Sequence, residues 1–146
     1  MKKIALLVLI TGLIQTVNAQ NPWKKAIDSK SEQQVLSIAN PRENANKMIE
    51  VDGSLMSPLA YACLYSNSVA VAKLLEYGAD MKNNPDGHNP VKIAARVGCV
   101  ECLQSLFNSG ASAAGDGSIS PLELAKRGKH EKAVALIEKQ LKAETK

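Results

Sequence analysis

The sequence predicts an all-α solenoid, in which helix-turn-helix repeats stack side by side. Self-similarity is the first observation, because three Pro-containing segments recur with prolines 32 and 31 residues apart, at Ser57-Pro58-Leu59, Asn89-Pro90-Val91 and Ser120-Pro121-Leu122. A second anchor keeps the same spacing, since Gly78 and Gly110 each follow a proline by 20 residues. Aromatic residues make up only 3% of the chain, so small aliphatic side chains must fill the core. Small, closely approaching helices fit this composition.

Each repeat has the same predicted helix start. Ser57, Asn89 and Ser120 can each cap a helix by accepting a hydrogen bond from a free backbone N–H. The proline that follows stands at the first helical position, where no N–H is needed. Turns with positive φ are predicted ahead of the caps by the Asp-Gly pairs at residues 52–53, 86–87 and 116–117.

The helix interiors follow one pattern as well. Small residues stand where helices of neighbouring repeats must approach closely, at Ala62, Ala94 and Ala125. Apolar residues at helical spacing predict the buried face of each second helix, at Val71, Leu74, Leu75, Leu103, Leu106 and Phe107. Gly78 and Gly110 are predicted to end these helices in the left-handed conformation that favours glycine.

These features resemble the ankyrin repeat family, whose unit is a β-turn plus two antiparallel helices with a Thr-Pro-Leu-His-x-Ala signature and a period of about 33 residues. The resemblance is good over residues 51–139 and weak over 28–50. It implies an ankyrin-repeat solenoid of three to four helix-turn-helix repeats with β-turn or hairpin loops. The signature His is replaced by Ala60, Lys92 and Glu123. We expect this to remove an inter-repeat hydrogen bond and to leave the stack less stable than a consensus array.

The predicted organisation begins with a signal peptide, because Lys2 and Lys3 precede an apolar run and small residues flank a cut after Ala19. We therefore expect export to the periplasm of a Gram-negative-type bacterium. The apolar run is shorter than the roughly 20 residues that cross a bilayer, so no membrane insertion is expected. Loss of the two lysines lowers the net charge from +4 to +2, which implies no nucleic-acid partner.

The rest of the chain is one predicted domain. Residues 20–50 are predicted to form N-terminal capping helices and an irregular loop, with Ser31 and Gln34 as a capping box. The polar stretch 40–50 is the candidate irregular or protruding loop. Ankyrin repeats are predicted at residues 51–84 and 85–114, and a further repeat with an amphipathic C-terminal capping helix at 115–146.

Few residues indicate chemistry. His88 and His130 are the only histidines, and neither lies near a Cys or the other His, so we interpret both as solvated and expect no metal site. Carboxylates are predicted to face water at Glu76, Glu101, Glu123 and Glu131. No phosphate loop or nucleophile motif is found, and we expect neither a cofactor nor catalytic residues. The chain is interpreted as a non-enzyme.

Cys99 and Cys102 form a Cys-x-x-Cys pair that leaves three interpretations open. In the repeat, Cys102 matches a core position like Ala70, and Cys99 starts the second helix near the surface, which favours a structural or incidental role. An oxidising compartment permits a disulfide between them. A catalytic thiol pair lacks its usual strand-to-helix context. Cys63 occupies a small-residue packing position and is predicted to be a buried thiol.

The resemblance implies binding of another protein through the hairpin tips and the concave side of the first helices. Carried onto this chain, the tip positions are Leu55, Met56, Asn84, Asp86, His88, Ser118 and Ile119. The helix-face positions are Tyr61, Tyr65, Lys92, Arg96, Glu123 and Arg127. We expect Leu55, Met56, Tyr61 and Tyr65 to be partly exposed, as interface aromatic and Met residues are. Packing between repeats is the alternative for the two tyrosines.

Similarity to small exported bacterial ankyrin proteins implies a periplasmic enzyme as the partner. The first hypothesis is that the chain inhibits a cell-wall hydrolase or toxin in self-protection. The second is an adaptor that supports an oxidative-stress enzyme such as a catalase, and the third is a thiol-redox protein that uses Cys99 and Cys102. We expect the chain to be a monomer when free.

Overall fold

The computed structural model describes residues 21–146, so the predicted signal peptide at 1–19 lies outside the described residues. Within that range the helices are α1 Pro22–Asp28, α2 Glu32–Leu36, α3 Pro41–Asn44, α4 Pro58–Leu64, α5 Ser68–Glu76, α6 Pro90–Val97, α7 Val100–Asn108, α8 Pro121–Arg127 and α9 Glu131–Glu144. Two short strands, β1 Ile49–Val51 and β2 Ser54–Met56, form an antiparallel hairpin. The predicted fold class, helical repeats with a hairpin loop, is confirmed.

The helices stack in two rows. In the first row α1 packs on α4, α4 on α6 and α6 on α8. In the second row α2 packs on α5, α5 on α7 and α7 on α9. Because the members of each pair also contact each other, one apolar interior runs between the two rows, as in a solenoid.

The predicted helix starts are confirmed. The Ser57 hydroxyl accepts from the Ala60 N–H at 3.1 Å, and the Ser120 hydroxyl accepts from the Glu123 N–H at 3.1 Å. The Asn89 side-chain oxygen accepts from two backbone N–H groups, at 2.9 and 3.2 Å. Each cap thus satisfies one or two of the amides that the first helical turn leaves without a partner.

The N-terminal helix pair uses the same start. The Asn21 side-chain oxygen accepts from the N–H groups of Trp23, at 3.0 Å, and Lys24, at 3.3 Å, ahead of Pro22 at the first helical position. Its amide donates to the carbonyl of Lys47 at 2.7 Å. Of the predicted capping box, the Ser31 hydroxyl accepts from the Gln34 N–H at 3.4 Å, whereas the Ser31 N–H donates to the Ser29 hydroxyl and not to the Gln34 side chain. Residues 21–36 therefore form a helix pair that covers the first complete repeat.

Residues 40–50 do not form the predicted irregular, protruding loop. Pro41–Asn44 is a helical turn, the Trp23 indole N–H donates to the Pro41 carbonyl at 3.3 Å, and β1 begins at Ile49. Ala45 and Ile49 are buried in the core. The segment packs against the rest of the protein because these two apolar side chains enter the core. In the sequence, the polar residues around them obscured this signal.

The core confirms the predicted close approach of helices. Ala62, Ala94 and Ala125, on the first helices of successive repeats, are completely buried. The predicted apolar positions of the second helices are buried too, except Leu75, which is half-buried. Because alanine is small, neighbouring helices that contact each other at these positions can approach closely. Their axes can then lie at the short end of the usual separation of about 8–10 Å.

The turns ahead of the first helices lie side by side and we call them fingers: the first finger is residues 49–56, the second 81–89 and the third 112–119. Only the first contains strands, with Ile49 paired to Met56. Its turn residues Asp52 and Gly53 have φ of 50° and 82°, as a two-residue type I′ hairpin requires. Gly87 and Gly117 also have positive φ, as the Asp-Gly pairs predicted.

The C-terminal helix α9 closes the other end of the stack. Ala133 and Ile137 are its buried residues. The Glu144 carboxylate accepts from the Ala113 N–H at 2.9 Å and from the Ser112 hydroxyl at 3.1 Å, so α9 also holds the start of the third finger. Within residues 21–146 no helix combines the length and the apolar character that a membrane span requires.

Replacing Ser57 by Ala tests the shared helix start. Ser57 is 3% exposed, so its loss leaves the Ala60 N–H buried without an acceptor. We expect the free energy of unfolding, measured by urea denaturation followed by circular dichroism, to fall by about 1–2 kcal/mol. Ser109→Ala is the matched control, since Ser109 is exposed and its change is expected to stay within about 0.5 kcal/mol. Equal effects would contradict the capping role.

Candidate binding surface

The structure brings several of the predicted binding residues around one groove. We call it the inter-finger groove, because it lies between the second and third fingers and is floored by α6; its volume is about 270 Å³. It is lined by Gly87, His88, Asn89, Lys92, Ile93, Arg96, Ser118, Ile119 and Leu124. Five of the predicted binding residues, His88, Lys92, Arg96, Ser118 and Ile119, are therefore placed together, and their role in binding stays a prediction.

The local sequence explains this placement. Lys92 and Arg96 are four residues apart on α6 and so share one helical face. Asn89 ends the second finger and caps α6 at the same time, which fixes the finger against the helix. Leu124, on α8, extends the same wall into the next repeat.

Lys92 holds the third finger in place. Its ammonium group donates to the Asp116 carboxylate and to the Ser118 hydroxyl, and Ser118 donates to Asp116 at 3.0 Å. The Lys92 side chain is only 13% exposed. The lysine that replaces the signature His at position 92 thus makes hydrogen bonds of its own to the next repeat, so this replacement retains an inter-repeat contact.

These hydrogen bonds change the acidity of Asp116. The Lys92 ammonium, with a smaller contribution from the Ser118 hydroxyl, lowers the pKa of Asp116 from its ordinary 3.8 to about 2. The carboxylate is consequently charged and paired at neutral pH. The Asp116 carboxylate neutralises the charge of Lys92. Although Lys92 lines the groove, its ammonium group is therefore already paired within the protein.

The predicted residue Asp86 links the first two fingers. Its carboxylate accepts from the Leu55 N–H at 2.6 Å. The neighbouring residue Asn84 donates its side-chain amide to the Met81 carbonyl at 3.1 Å. Asp86 thus ties the two fingers together, whereas the Asn84 side-chain oxygen is buried without a hydrogen-bond partner among the described residues. The Leu55 side chain, 45% exposed, is left facing solvent.

Arg96 differs from the other cation of the groove. It is exposed, and within residues 21–146 no carboxylate oxygen lies within 4.0 Å of its guanidinium nitrogens. Its backbone carbonyl lies 3.0 Å from Nε2 of His130 in the next repeat. Arg96 is therefore held by its backbone and presents a charge without an internal partner. Ile119, which lines the same groove, is 44% exposed.

Two predicted surface residues are buried, contrary to expectation. Met56 is 5% exposed because it pairs with Ile49 in the hairpin and faces the core. Tyr61 is 2% exposed, and its hydroxyl donates to the Asp28 carboxylate of α1. Burial, followed by this hydrogen bond, raises the pKa of Tyr61 above its ordinary value. For Tyr61 the alternative of packing between repeats is correct.

The remaining predicted residues lie outside the groove. Tyr65 is 49% exposed and stacks obliquely on Tyr61, with ring centroids 4.8 Å apart. It lines a separate cleft with residues 66–69, where α4 turns into α5. Glu123 and Arg127 form an ion pair with each other on α8.

The histidines are less solvated than predicted. Both are half-buried. His130 packs against the Arg96 carbonyl, and Nε2 of His88 is buried without a hydrogen-bond partner among the described residues. Glu76, Glu101, Glu123 and Glu131 are exposed, as predicted. Across residues 21–146 no three His, Cys, Asp or Glu side chains are grouped to hold a metal ion.

Cys99 and Cys102 form a disulfide. Cys99 is 5% exposed, so its predicted position near the surface is wrong, and Cys102 is completely buried. The Cys99 sulfur also accepts from the Cys102 N–H at 3.2 Å, where it caps α7. Reactive thiols are normally accessible to their substrates, so this burial favours a structural disulfide. Cys63 is a buried free thiol, as predicted, and burial raises its pKa.

The disulfide predicts a defined thiol count. In denaturant without reductant, a colorimetric thiol assay is expected to find one thiol per chain, that of Cys63, and three after reduction. Reduction is expected to lower the free energy of unfolding by about 2 kcal/mol for so short a loop. The double variant C99A/C102A serves as the control, because reductant should not change its stability. Three thiols before reduction would contradict the pairing.

The Lys92–Asp116 pair predicts a pH dependence. Because the pKa of Asp116 in the folded state lies below its ordinary 3.8, the pair stabilises the third finger above about pH 4 and loses this effect as the pH falls towards 2. NMR titration of the Asp116 carboxyl carbon is expected to give a midpoint near 2. Lys92→Met should move the midpoint back towards 3.8, and an unchanged midpoint would refute the assignment.

Comparison with known proteins adds one positive finding. The sequence model of the family described as ankyrin repeats (3 copies) matches residues 24–115. The match begins within α1, covers residues 28–50, where the resemblance seen in the sequence was weak, and ends within the third finger. No curated protein matches the chain.

Proposed function

The chain belongs to the ankyrin repeat family, and from this premise we propose that it is an exported protein that binds and inhibits a periplasmic enzyme in self-protection. The family is typically a non-catalytic module for protein–protein interaction. The proposed partner is a cell-wall hydrolase or a toxin. Inhibition requires no reacting group on this chain, because a bound protein can block access to an active-site cleft.

Export is supported by two independent features. The start of the sequence has the charged, apolar and small-residue parts of a signal peptide. The Cys99–Cys102 disulfide is the second feature, since disulfides persist in oxidising compartments such as the periplasm and are rare in the cytosol.

The observation that carries the proposal is the inter-finger groove. Its walls are fixed by the hydrogen bonds of Lys92 to the third finger and of Asp86 to the first. An exposed cation, Arg96, and an exposed apolar residue, Ile119, are left at its edge. A surface held in one conformation before binding loses less entropy when it binds, so the groove is suited to a protein loop.

The proposed interface extends over several repeats. With helix axes about 8–10 Å apart, the first helices from α4 to α8 span roughly 16–20 Å, and the fingers project beside them. A stable interface buries about 800 Å² on each partner. The fingers and the exposed sides of the first helices are the surface that we propose for such an interface.

The test is capture of the partner from periplasmic extract. The tagged protein, purified from the periplasmic fraction, serves as bait, captured proteins are identified by mass spectrometry, and their activity is assayed with and without the bait. A hydrolase or toxin that loses activity on titration with the bait supports the proposal. Capture of a catalase whose activity is sustained would replace it with the adaptor hypothesis.

We predict that reversing a charge at the groove weakens this complex. Arg96→Glu is expected to weaken binding of the captured enzyme at least tenfold, because a repulsive charge replaces an interface cation. Calorimetry gives the affinity, and circular dichroism should be unchanged. Arg42→Glu is the matched control, since Arg42 is an exposed arginine on α3, outside the groove. Equal loss in both variants, or none in Arg96→Glu, would place the interface elsewhere.

Tyr65→Ala addresses a different surface in the same assay. Tyr65 was predicted to contribute to binding, and it lies in a cleft separate from the inter-finger groove. A loss of affinity in Tyr65→Ala comparable to that in Arg96→Glu would extend the interface to the α4–α5 turn.

A further inference from the structure

We propose that the inter-finger groove recognises an acidic side chain of the partner. The occupant is a protein segment in which Asp or Glu stands beside an apolar residue, with the carboxylate on Arg96 and the apolar side chain on Ile119. This inference rests on the proposed function and names the chemistry of the partner at that site.

The charges of the groove carry the argument. Its lining contains two permanent cations, Lys92 and Arg96, and no carboxylate. Lys92 is already neutralised by Asp116 and is largely covered. The nearby carboxylates are engaged too, Asp86 with the Leu55 N–H and Glu123 with Arg127. Arg96 is the cation of this surface that the described residues leave without a carboxylate.

Covering Arg96 makes an anion necessary. A protein that seats on the groove removes water from the guanidinium, and an uncompensated buried charge is strongly destabilising. The planar guanidinium donates in a fork that matches a carboxylate with two parallel hydrogen bonds. A partner that supplies Asp or Glu at this point compensates the lost hydration, whereas an apolar or basic segment does not.

The position of Arg96 favours such a defined contact. It lies in the last turn of α6, and its carbonyl lies within hydrogen-bond distance, 3.0 Å, of His130. The following Gly98 ends the helix with φ of 75°. The backbone that carries the guanidinium is therefore fixed on both sides, and only the side chain must become ordered when the partner binds.

The apolar requirement comes from the other side of the groove. Ile119 is 44% exposed at the edge, and Ile93 and Leu124 contribute to the wall. The groove volume of about 270 Å³ lies just below the usual range for small-molecule sites, about 300–1,000 Å³. The groove offers room for the side chains of a protein segment.

The test uses display of random 12-residue peptides against the protein purified from the periplasmic fraction. Selected peptides are expected to contain Asp or Glu next to Leu, Ile, Val or Phe, well above the frequency in the starting library. Arg96→Gln should abolish the enrichment of acidic residues, and Arg42→Gln, an equal change of charge on α3, should preserve it.

The strongest selected peptide then gives a double-mutant cycle by fluorescence titration. Replacing its acidic residue with the corresponding amide, or Arg96 with Gln, is expected to lower affinity about tenfold each, and the two changes together should cost little more than either alone. Additive losses would show that the two groups do not contact each other. Unchanged circular dichroism of Arg96→Gln excludes unfolding as the cause.

Failure of this inference is distinct from failure of the proposed function. Peptides without acidic residues, acidic enrichment that survives Arg96→Gln, or no enrichment at all would each overturn the inference. The proposed function fails instead if an enzyme captured from periplasmic extract is not inhibited, whatever peptides the groove selects.

Discussion

The rest of the structure depends on the close lateral packing of the first helices through alanine. Ala62, Ala94 and Ala125 are completely buried at equivalent positions, and larger side chains there would push the helices apart. Close helices bring their preceding turns side by side, because each cap and proline join a finger directly to its helix. The inter-finger groove is thus a consequence of the core, since the spacing of the alanines sets the spacing of its walls.

Polar residues then turn this row of fingers into a fixed surface. Asp86 joins the first and second fingers, Lys92 joins α6 to the third, and Glu144 holds the start of the third from α9. Surface ion pairs are individually weak, but each of these bonds crosses between repeats and so opposes their relative movement. The charges that make these contacts are not free for a partner, which is why Arg96 stands out electrostatically.

The sequence predicted the features that recur and missed those that depend on three-dimensional neighbours. Helix starts, alanine contacts and terminating glycines repeat with a fixed period, so one repeat predicts where the same feature stands in the next. Burial of Tyr61 could have been anticipated, because it stands three residues after its proline, as Ile93 and Leu124 do. The pair Asn21-Pro22 repeats Asn89-Pro90 but lies beside the predicted cleavage site. The contact of Lys92 with Asp116 joins positions in different repeats, which no local pattern specifies.

The N-cap position of the second helices is occupied by a different kind of residue in each repeat. Asn67, Cys99 and His130 are the N-cap residues of α5, α7 and α9 and recur with the same spacing as the prolines. Asn67 caps with an oxygen at 3.0 Å, whereas the Cys99 sulfur is a weaker acceptor and gains a covalent bond to Cys102. His130 caps nothing with its side chain and contacts the Arg96 carbonyl instead. The turn that follows Arg96 thus lies between the Arg96 carbonyl, which His130 contacts, and Cys99, which the disulfide holds. The disulfide persists in an oxidising compartment, which connects the proposed export to the turn beside the groove.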